Sequence, residues 1–422
     1  MTGSGSTQKI VLISDTDMHG GLSLAASWLA LQRAGIQPYV AYSNFQLVKH
    51  GEKPTEPVTN AQWLADSLPQ IVMPRQNLYM YILDIPMNNQ APQRHVETLR
   101  QYVAAGGHVV VINKAGHESD IAPKLYMQAG VDYIPVDTDI AVALFIPRKL
   151  GILDKDIYRI AKWAGLADFD PSIEREVSYE EEELVTEIVD QYWKFESKND
   201  PAIPQEYRLE HGNVGAVARM VVEHGLEWLE HRAREIAKPL PTPDYEIRGD
   251  VVVVKGPDVP GMVWKLAAKA CRLSGAKVAV AKSVSPRGVA VIIATNWRWK
   301  AKIPSLTEIV DRVANEIAGG RTVVGNPGAR SILARSIEDA EMLLRYAVEK
   351  LNQYIYSYAY TPKVAHLISE RHVAEAVTED YRALMRILER IAAALERGAS
   401  AKEQQVTILK KLYERADTNI AD

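Results

Sequence analysis

Short apolar runs alternate with stretches of helical periodicity along the first part of the chain. KIVLIS at 9–14 holds a short apolar run, Ile10 to Ile13, the pattern of a strand covered on both faces in a parallel sheet. A polar turn at 15–21 follows. The apolar spacing of 22–35, closed by Gly35, predicts a helix. Segments 37–42, 78–83, 108–112 and 132–134 predict further strands, and 92–105 and 119–129 predict helices. Strands alternating with helices predict an α/β fold with a doubly wound, mostly parallel sheet. Such sheets bind ligands beyond the C-terminal ends of their strands. Asp15, Asp84 and Asn113 fall at three such ends.

The pattern then changes. Residues 139–168 read as mostly helical, and 206–237 as one long helix. The acidic stretch 174–190 reads as a solvated helix face. KPLPTPDYE at 238–246 carries three prolines in a short polar run, which predicts a stiff linker. A smaller αβ pattern follows, with strands at 250–255, 277–282 and 289–295 and helices at 261–274 and 305–317. A glycine-rich loop comes next, then helices at 337–351 and 379–395. The expected organisation is an N-terminal domain at 1–237, a linker at 238–249, a smaller αβ domain at 250–350 and a C-terminal helical extension at 351–422.

Composition narrows the class. The 422 residues suit two to three domains, and 47% apolar with 24% charged residues is the range of a chain that buries a large core. The net charge of −4 supplies no global attraction to nucleic acid or an anionic membrane, so any such contact must be local. Cys271 is the single cysteine, which excludes an internal disulfide and suits a reducing compartment. The polar, Gly/Ser-rich start does not read as a signal peptide, and no apolar run approaches a membrane span. The expected location is cytoplasmic.

SDTDMHGG places Asp15, Asp17 and His19 at alternate positions after the first strand. In extended backbone, alternate side chains share a face, and two carboxylates with an imidazole suit Mn²⁺, Mg²⁺ or Zn²⁺. The competing reading is an Asp-rich turn that caps the next helix. Asp84 ends the strand at 78–83, and LADFD supplies Asp168 and Asp170 at a helix end. NWRWK at 296–300, with Arg298 between two tryptophans, suits base stacking and phosphate contact. Its competing reading is a strand end with one buried Trp. YIYSYAY at 354–360 reads as a partner-docking segment or as a core segment. The remaining histidines show no metal-ligand spacing.

Taken together these positions resemble the DHH phosphoesterase superfamily, which includes the RecJ exonucleases, nano-RNases and exopolyphosphatases. The first family motif, His-x-Asp-x-Asp-Gly, is matched by Asp15-Thr16-Asp17-Met18-His19-Gly20, with the outer His and Asp exchanged. Asp84 matches the strand-terminal Asp of the second motif. GGHVVVINKAGH matches the frame of the third motif, but Asn113, Lys114 and Ala115 stand where Asp-His-His is usual. Asp168 matches the fourth. The later half resembles the associated DHHA1 module: Gly319-Gly320-Arg321 precedes Gly325-Asn326-Pro327-Gly328-Ala329-Arg330, with Asn326 in place of the usual His. The resemblance covers roughly residues 9–350.

The resemblance implies a metal set of Asp15, Asp17, His19, Asp84 and Asp168, holding Mn²⁺ or Mg²⁺ as one ion or none. It implies a substrate-binding set of Asn113, Arg321, Gly325, Asn326, Pro327, Gly328 and Arg330, joined by Arg298. Lys114 is a poor metal ligand, because its ammonium has no lone pair, but it can place positive charge where a metal would sit. His117 can swing in to rebuild the site. Lys114 and His117 are therefore the catalytic candidates at the altered tip.

Two main readings follow. The first is a RecJ-like protein with impaired catalysis that binds single-stranded nucleic acid or acts as a replication or repair scaffold. This is similar to the DHH-family subunit that accompanies MCM and GINS in the replicative helicase. The second is a divergent Mn²⁺-dependent phosphodiesterase, exonuclease or oligonucleotidase. A polyphosphate or small-nucleotide binder is the third.

Overall fold

The computed structural model describes residues 9–43, 64, 68–87, 91–115, 118–256, 262–285, 288–300, 302–303, 305–325 and 328–371. His117, Asn326, Pro327 and the expected helix at 379–395 lie outside the described residues. Residues Met1–Ser357 form one compact unit and Tyr358–Asp422 a second.

The N-terminal half is built on a five-stranded sheet of β1 (Lys9–Ser14), β2 (Val40–Ser43), β3 (Leu78–Leu83), β4 (His108–Lys114) and β5 (Asp132–Val136). Its order is β2-β1-β3-β4-β5, and every pairing is parallel. This is the doubly wound α/β sheet expected from the alternation. Its strand order reverses at β1 and β3, so the crevice for a ligand opens beyond their C-terminal ends.

The unbroken apolar runs are explained by burial on both faces. Ile10 and Leu12 enter one core with helices α1 (Met18–Arg33), α4 (Asp139–Leu150) and α5 (Lys155–Ala167). Val11 and Ile13 enter the opposite core with α2 (Pro92–Ala104) and α3 (Ala122–Gln128). Adjacent residues of one strand thus belong to different cores, because strand side chains alternate.

The acidic stretch differs from the solvated helix expected. It forms α6 (Tyr179–Glu183) and a π-helical turn at Leu184–Val189, and Glu182, Glu187 and Asp190 are each 2% exposed. The reason is tertiary for two of them, since Arg298 reaches Glu182 and Lys269 and Arg272 reach Glu187 from the second half of the chain, while Asp190 pairs locally with Lys194. The long helix expected at 206–237 is interrupted twice: α7 (Gln205–His224) is kinked at Gly212 with φ 74°, and Gly225 with φ 81° separates it from α8 (Leu226–Ile236). The linker expected at 238–249 contains a strand, β6 (Asp244–Arg248), on the edge of the second sheet. Its alternation is too short to stand out among prolines.

That second sheet has six strands: β6, β7 (Val251–Gly256), β8 (Val278–Ser285), β9 (Gly288–Thr295), β10 (Val323–Val324) and β11 (Ala329–Ala334). Its order is β10-β11-β9-β8-β7-β6, and only β7 and β8 pair in parallel. α9 (Val263–Ser274) lays Ala267, Ala270 and Cys271 on one face of this sheet. After β9 comes the short α10 (Trp297–Lys300). The other face carries α11 (Leu306–Ala318) and the first part of α12 (Ile337–Arg371).

α9 also ties the halves together. Lys269 Nζ donates to Glu187 Oε2 at 2.6 Å, Arg272 to Glu187 Oε1 at 2.5 Å, and Lys265 to the Ala167 carbonyl at 2.6 Å. Among the described residues, no helix is long and apolar enough to cross a membrane.

Candidate functional site

The crevice opens where β1 gives way to α1. Asp17 is extended (φ −80°, ψ 178°) and caps the helix, its Oδ1 accepting the Gly20 N–H at 2.8 Å. The turn is so tight that a Cβ on Gly20 would lie 2.7 Å from the Asp15 carbonyl oxygen, so glycine is required there. Helix therefore begins at Met18, and the expectation of Asp15, Asp17 and His19 on one face of an extended strand is corrected. The capping reading describes the backbone. Asp15 accepts the Asp17 N–H at 3.1 Å, and burial, then the charges of Asp17 and Asp84, raise its pKa well above the carboxylate range.

His19, in the first turn of α1, is fully buried. Its Nδ1 lies 2.5 Å from Asp84 Oδ2 and 3.7 Å from Asp168 Oδ2, and its Nε2 lies 3.2 Å from the Asp139 carbonyl oxygen. A carbonyl only accepts, so Nε2 carries a proton. Burial opposes the imidazolium, but the Asp84, Asp168 and Asp139 carboxylates outweigh it and raise its pKa well above the ordinary value. Asp84 sits at the tip of β3 with φ 57°, a left-handed conformation that Asp tolerates better than most residues. Its N–H donates to the Ile112 carbonyl at 3.0 Å.

β4 runs two residues further than expected, which separates Asn113 and Lys114 onto opposite faces. Asn113 is fully buried and donates to the Ile85 carbonyl at 2.9 Å and to Glu118 Oε1 at 2.5 Å. Its amide braces the loop after β3. Lys114 Nζ donates to Asp139 Oδ2 at 2.5 Å. Burial works against this ammonium, and the Asp139 carboxylate more than compensates, so its pKa is raised.

Asp168 caps the end of α5, and burial, then the Asp17 charge, push it up to about 7. Phe169 follows with φ 57°. This turn brings Asp170 back so that its Oδ2 accepts the Ile140 N–H at 3.0 Å and its Oδ1 the Ser172 N–H at 2.9 Å.

A cleft of about 570 Å³ opens over these groups. Asp17, His19, Lys114 and Asp168 line it from the first half, with Phe169, Asp190 and Lys194. Trp264, Lys265, Trp297 and Lys300 line it from the second, and Gly325 reaches its edge. Carboxylates thus face lysines across a crevice with aromatic walls.

Among the described residues, two sets of three groups offer ligand atoms within 4.8 Å of one another: Asp17, His19 and Asp84, and then His19, Asp139 and Asp168. The first set fits a divalent cation. An imidazole held by an Nε2–H to carbonyl bond, with Nδ1 facing carboxylates, has the orientation of a metal-ligating histidine. Burial, and then the neighbouring carboxylate charges, raise the pKa values of both Asp15 and Asp17. The second set shares His19 and is already held by the Lys114 ammonium through Asp139.

The other residues singled out from the sequence lie around this centre or apart from it. Arg298 is absent from the cleft lining. It donates to Glu182 Oε2 at 2.8 Å and to the Val177 carbonyl at 3.0 Å, as one of the ties between the halves, beside a Trp297 that is 3% exposed. Arg321 makes a two-point pair with Asp339, and Arg330 one with Asp311, which also accepts the Gly328 N–H. These two arginines brace the glycine loop.

Asp139 and Lys265 fall outside the site residues expected from the sequence, and Lys300 enters that expectation only as the last residue of NWRWK. A signal for Asp139 exists: the triplet Asp-Thr-Asp at 15–17 recurs at 137–139, each time just after a strand. Lys265 carries no comparable signal, since only packing of α9 brings it to the cleft.

No protein-family profile matches the sequence, and no curated protein matches it. Among solved structures the chain is similar to a DHH domain described as a member of the s1p family of ribosomal proteins, at 14% identity and a TM-score of 0.43 over 82% of this chain and 87% of that one. It is similar to an exopolyphosphatase-related protein from Bacteroides fragilis, at 11% identity and a TM-score of 0.43 over 83% and 94%. It is also similar to RecJ from Thermus thermophilus in complex with Mn²⁺, at 13% identity and a TM-score of 0.33 over 83% of this chain and 52% of that one.

Proposed function

We propose that this chain is a DHH–DHHA1-type protein whose cleft binds single-stranded nucleic acid through its phosphates and does not perform two-metal hydrolysis. The observation that carries this is the Lys114–Asp139 pair at 2.5 Å. A fixed ammonium occupies the second acidic set, and an ammonium both lacks a lone pair and repels a cation. One Mn²⁺ or Mg²⁺ would be held by Asp17, His19 and Asp84, and when bound it supplies a positive contact for a phosphate oxygen. The chain's own residues do the rest. Lys114, Lys194, Lys265 and Lys300 give the cleft a cationic side despite the acidic net charge, and Trp264 and Phe169 add aromatic lining, with the Lys265 ammonium 4.5 Å from the Phe169 ring centroid. On this reading the two sheets are the DHH-like and DHHA1-like domains. The biological setting is a cytoplasmic replication or repair assembly with partners of the MCM and GINS kind.

The second reading, a divergent Mn²⁺-dependent phosphodiesterase, is favoured by the metal-ready orientation of His19. One experiment separates the two. End-labelled single-stranded DNA and RNA are incubated with the full chain and Mn²⁺, while binding is followed by anisotropy. The proposed function expects saturable binding with intact strands, weakened about tenfold by Lys114→Ala. Strand cleavage that disappears in Asp84→Asn overturns it.

A further inference from the structure

Beside the main cleft lies a smaller cavity of about 350 Å³, lined by Lys114, Lys300, Thr138 and Ser172, with Asp137 and Asp170 at its walls. Its charges are unevenly compensated. Asp139 already holds Lys114. Both oxygens of Asp170 accept backbone N–H groups, from Ile140 and Ser172, and Asp137 is exposed to solvent. Among the described residues the Lys300 ammonium has no hydrogen bond or ion pair, although it is half-buried. Burial, then the charge of Lys114, lower its pKa, and the charges of Asp139, Asp170 and Asp311 offset this only in part. A half-buried ammonium facing a second ammonium is unfavourable unless an anion sits between them.

The other lining groups suit the same ligand. The Thr138 Oγ1 accepts the Ala141 N–H at 3.2 Å, which leaves its O–H free to donate. Thr138 is also the N-cap of α4, whose positive end therefore faces the cavity. Among the described residues the Ser172 side chain has no hydrogen-bond partner, and the residue is exposed.

We propose that Lys114, Lys300, Thr138 and Ser172 form an oxyanion subsite that takes a phosphate group. The phosphate is either free in solution or the terminal monoester of a strand lying in the main cleft. The second source rests on the proposed function; the subsite itself does not.

The test is calorimetric titration of inorganic phosphate into the full chain without divalent metal, for wild type, Lys300→Gln and Lys300→Arg. Saturable binding is expected, at least about tenfold weaker in Lys300→Gln and largely retained in Lys300→Arg. Absence of saturable phosphate binding, or equal binding in Lys300→Gln, overturns the subsite. Competition with oligonucleotides bearing a 5′-phosphate, a 3′-phosphate or only hydroxyl ends then identifies the source. A phosphorylated strand that displaces phosphate far better than the hydroxyl strand marks a chain-end site. If no strand competes while phosphate binding still depends on Lys300, the subsite stands and the nucleic-acid reading falls. If strands bind and Lys300→Gln changes nothing, the nucleic-acid reading stands and the subsite falls.

Discussion

Replacing Lys114 by Met tests the central pair directly. The change keeps much of the apolar stem and removes only the charge. Asp139 is left with a carboxylate side chain 0% exposed, close to Asp168 and Asp170, while Lys114 itself is 21% exposed. Breaking a buried pair in this way costs ~3–5 kcal/mol, and the partial exposure of Lys114 places this pair near the lower figure, about 3 kcal/mol. At the small-shift end of the range for large domains, that is a fall in melting temperature of ~6 °C. The pKa of Lys114 is raised in the folded chain, so its contribution is complete below 10.5 and is lost as pH rises through the higher folded value. The difference between variant and wild type should therefore persist through neutral pH and shrink only above 10.5. The loss of the ammonium also frees the Asp139 and Asp168 carboxylates for a second cation. Mn²⁺ at about a hundredfold excess over its dissociation constant would return ~2.7 kcal/mol, offsetting most of the loss in Lys114→Met and adding no such second increment to wild type. The assay is thermal unfolding followed by circular dichroism, with and without Mn²⁺. A variant that melts within ~1 °C of wild type, or Mn²⁺ that shifts both proteins equally, would refute the assignment of Lys114 as a built-in cation.

Three further outcomes are expected. Asp200, whose side chain is 0% exposed, accepts from Arg232 at 2.5 Å and from the Tyr192 hydroxyl at 2.7 Å; burial works against its charge, but these bonds outweigh it and lower its pKa. Its contribution is present above 3.8 and lost as pH falls through the lower folded value, so Asp200→Asn should cost about 3 kcal/mol at neutral pH and flatten the acid limb of a stability profile. Glu187→Gln leaves Lys269 and Arg272 without their shared carboxylate, and a urea midpoint should report a loss of about 3 kcal/mol. Gly21→Ala puts a Cβ 2.0 Å from the buried Trp193 ring, and the same measurement should show ~2–3 kcal/mol lost; wild-type stability would mean that the α1 packing is looser than described.

What the sequence determined by itself is local. The apolar runs at 9–14, 78–83 and 108–112 have the pattern of strands covered on both faces, and their alternation with helices points to a parallel doubly wound sheet. The same logic placed Asp15, Asp84 and Asn113 at strand ends, because a C-terminal strand end is defined by where the apolar run stops. The altered third motif was legible as residue types alone. Tertiary structure decided how those residues are used. Asp17 caps a helix, so His19 leaves the strand direction. Asn113 and Lys114 fall on opposite faces, so one braces a loop and the other meets Asp139. Glu182 and Glu187 are buried because Arg298 and Lys269 reach them from residues far along the chain. Side-chain periodicity reports which face is covered. It does not report what covers that face, and at this cleft the covering charges come from another sheet.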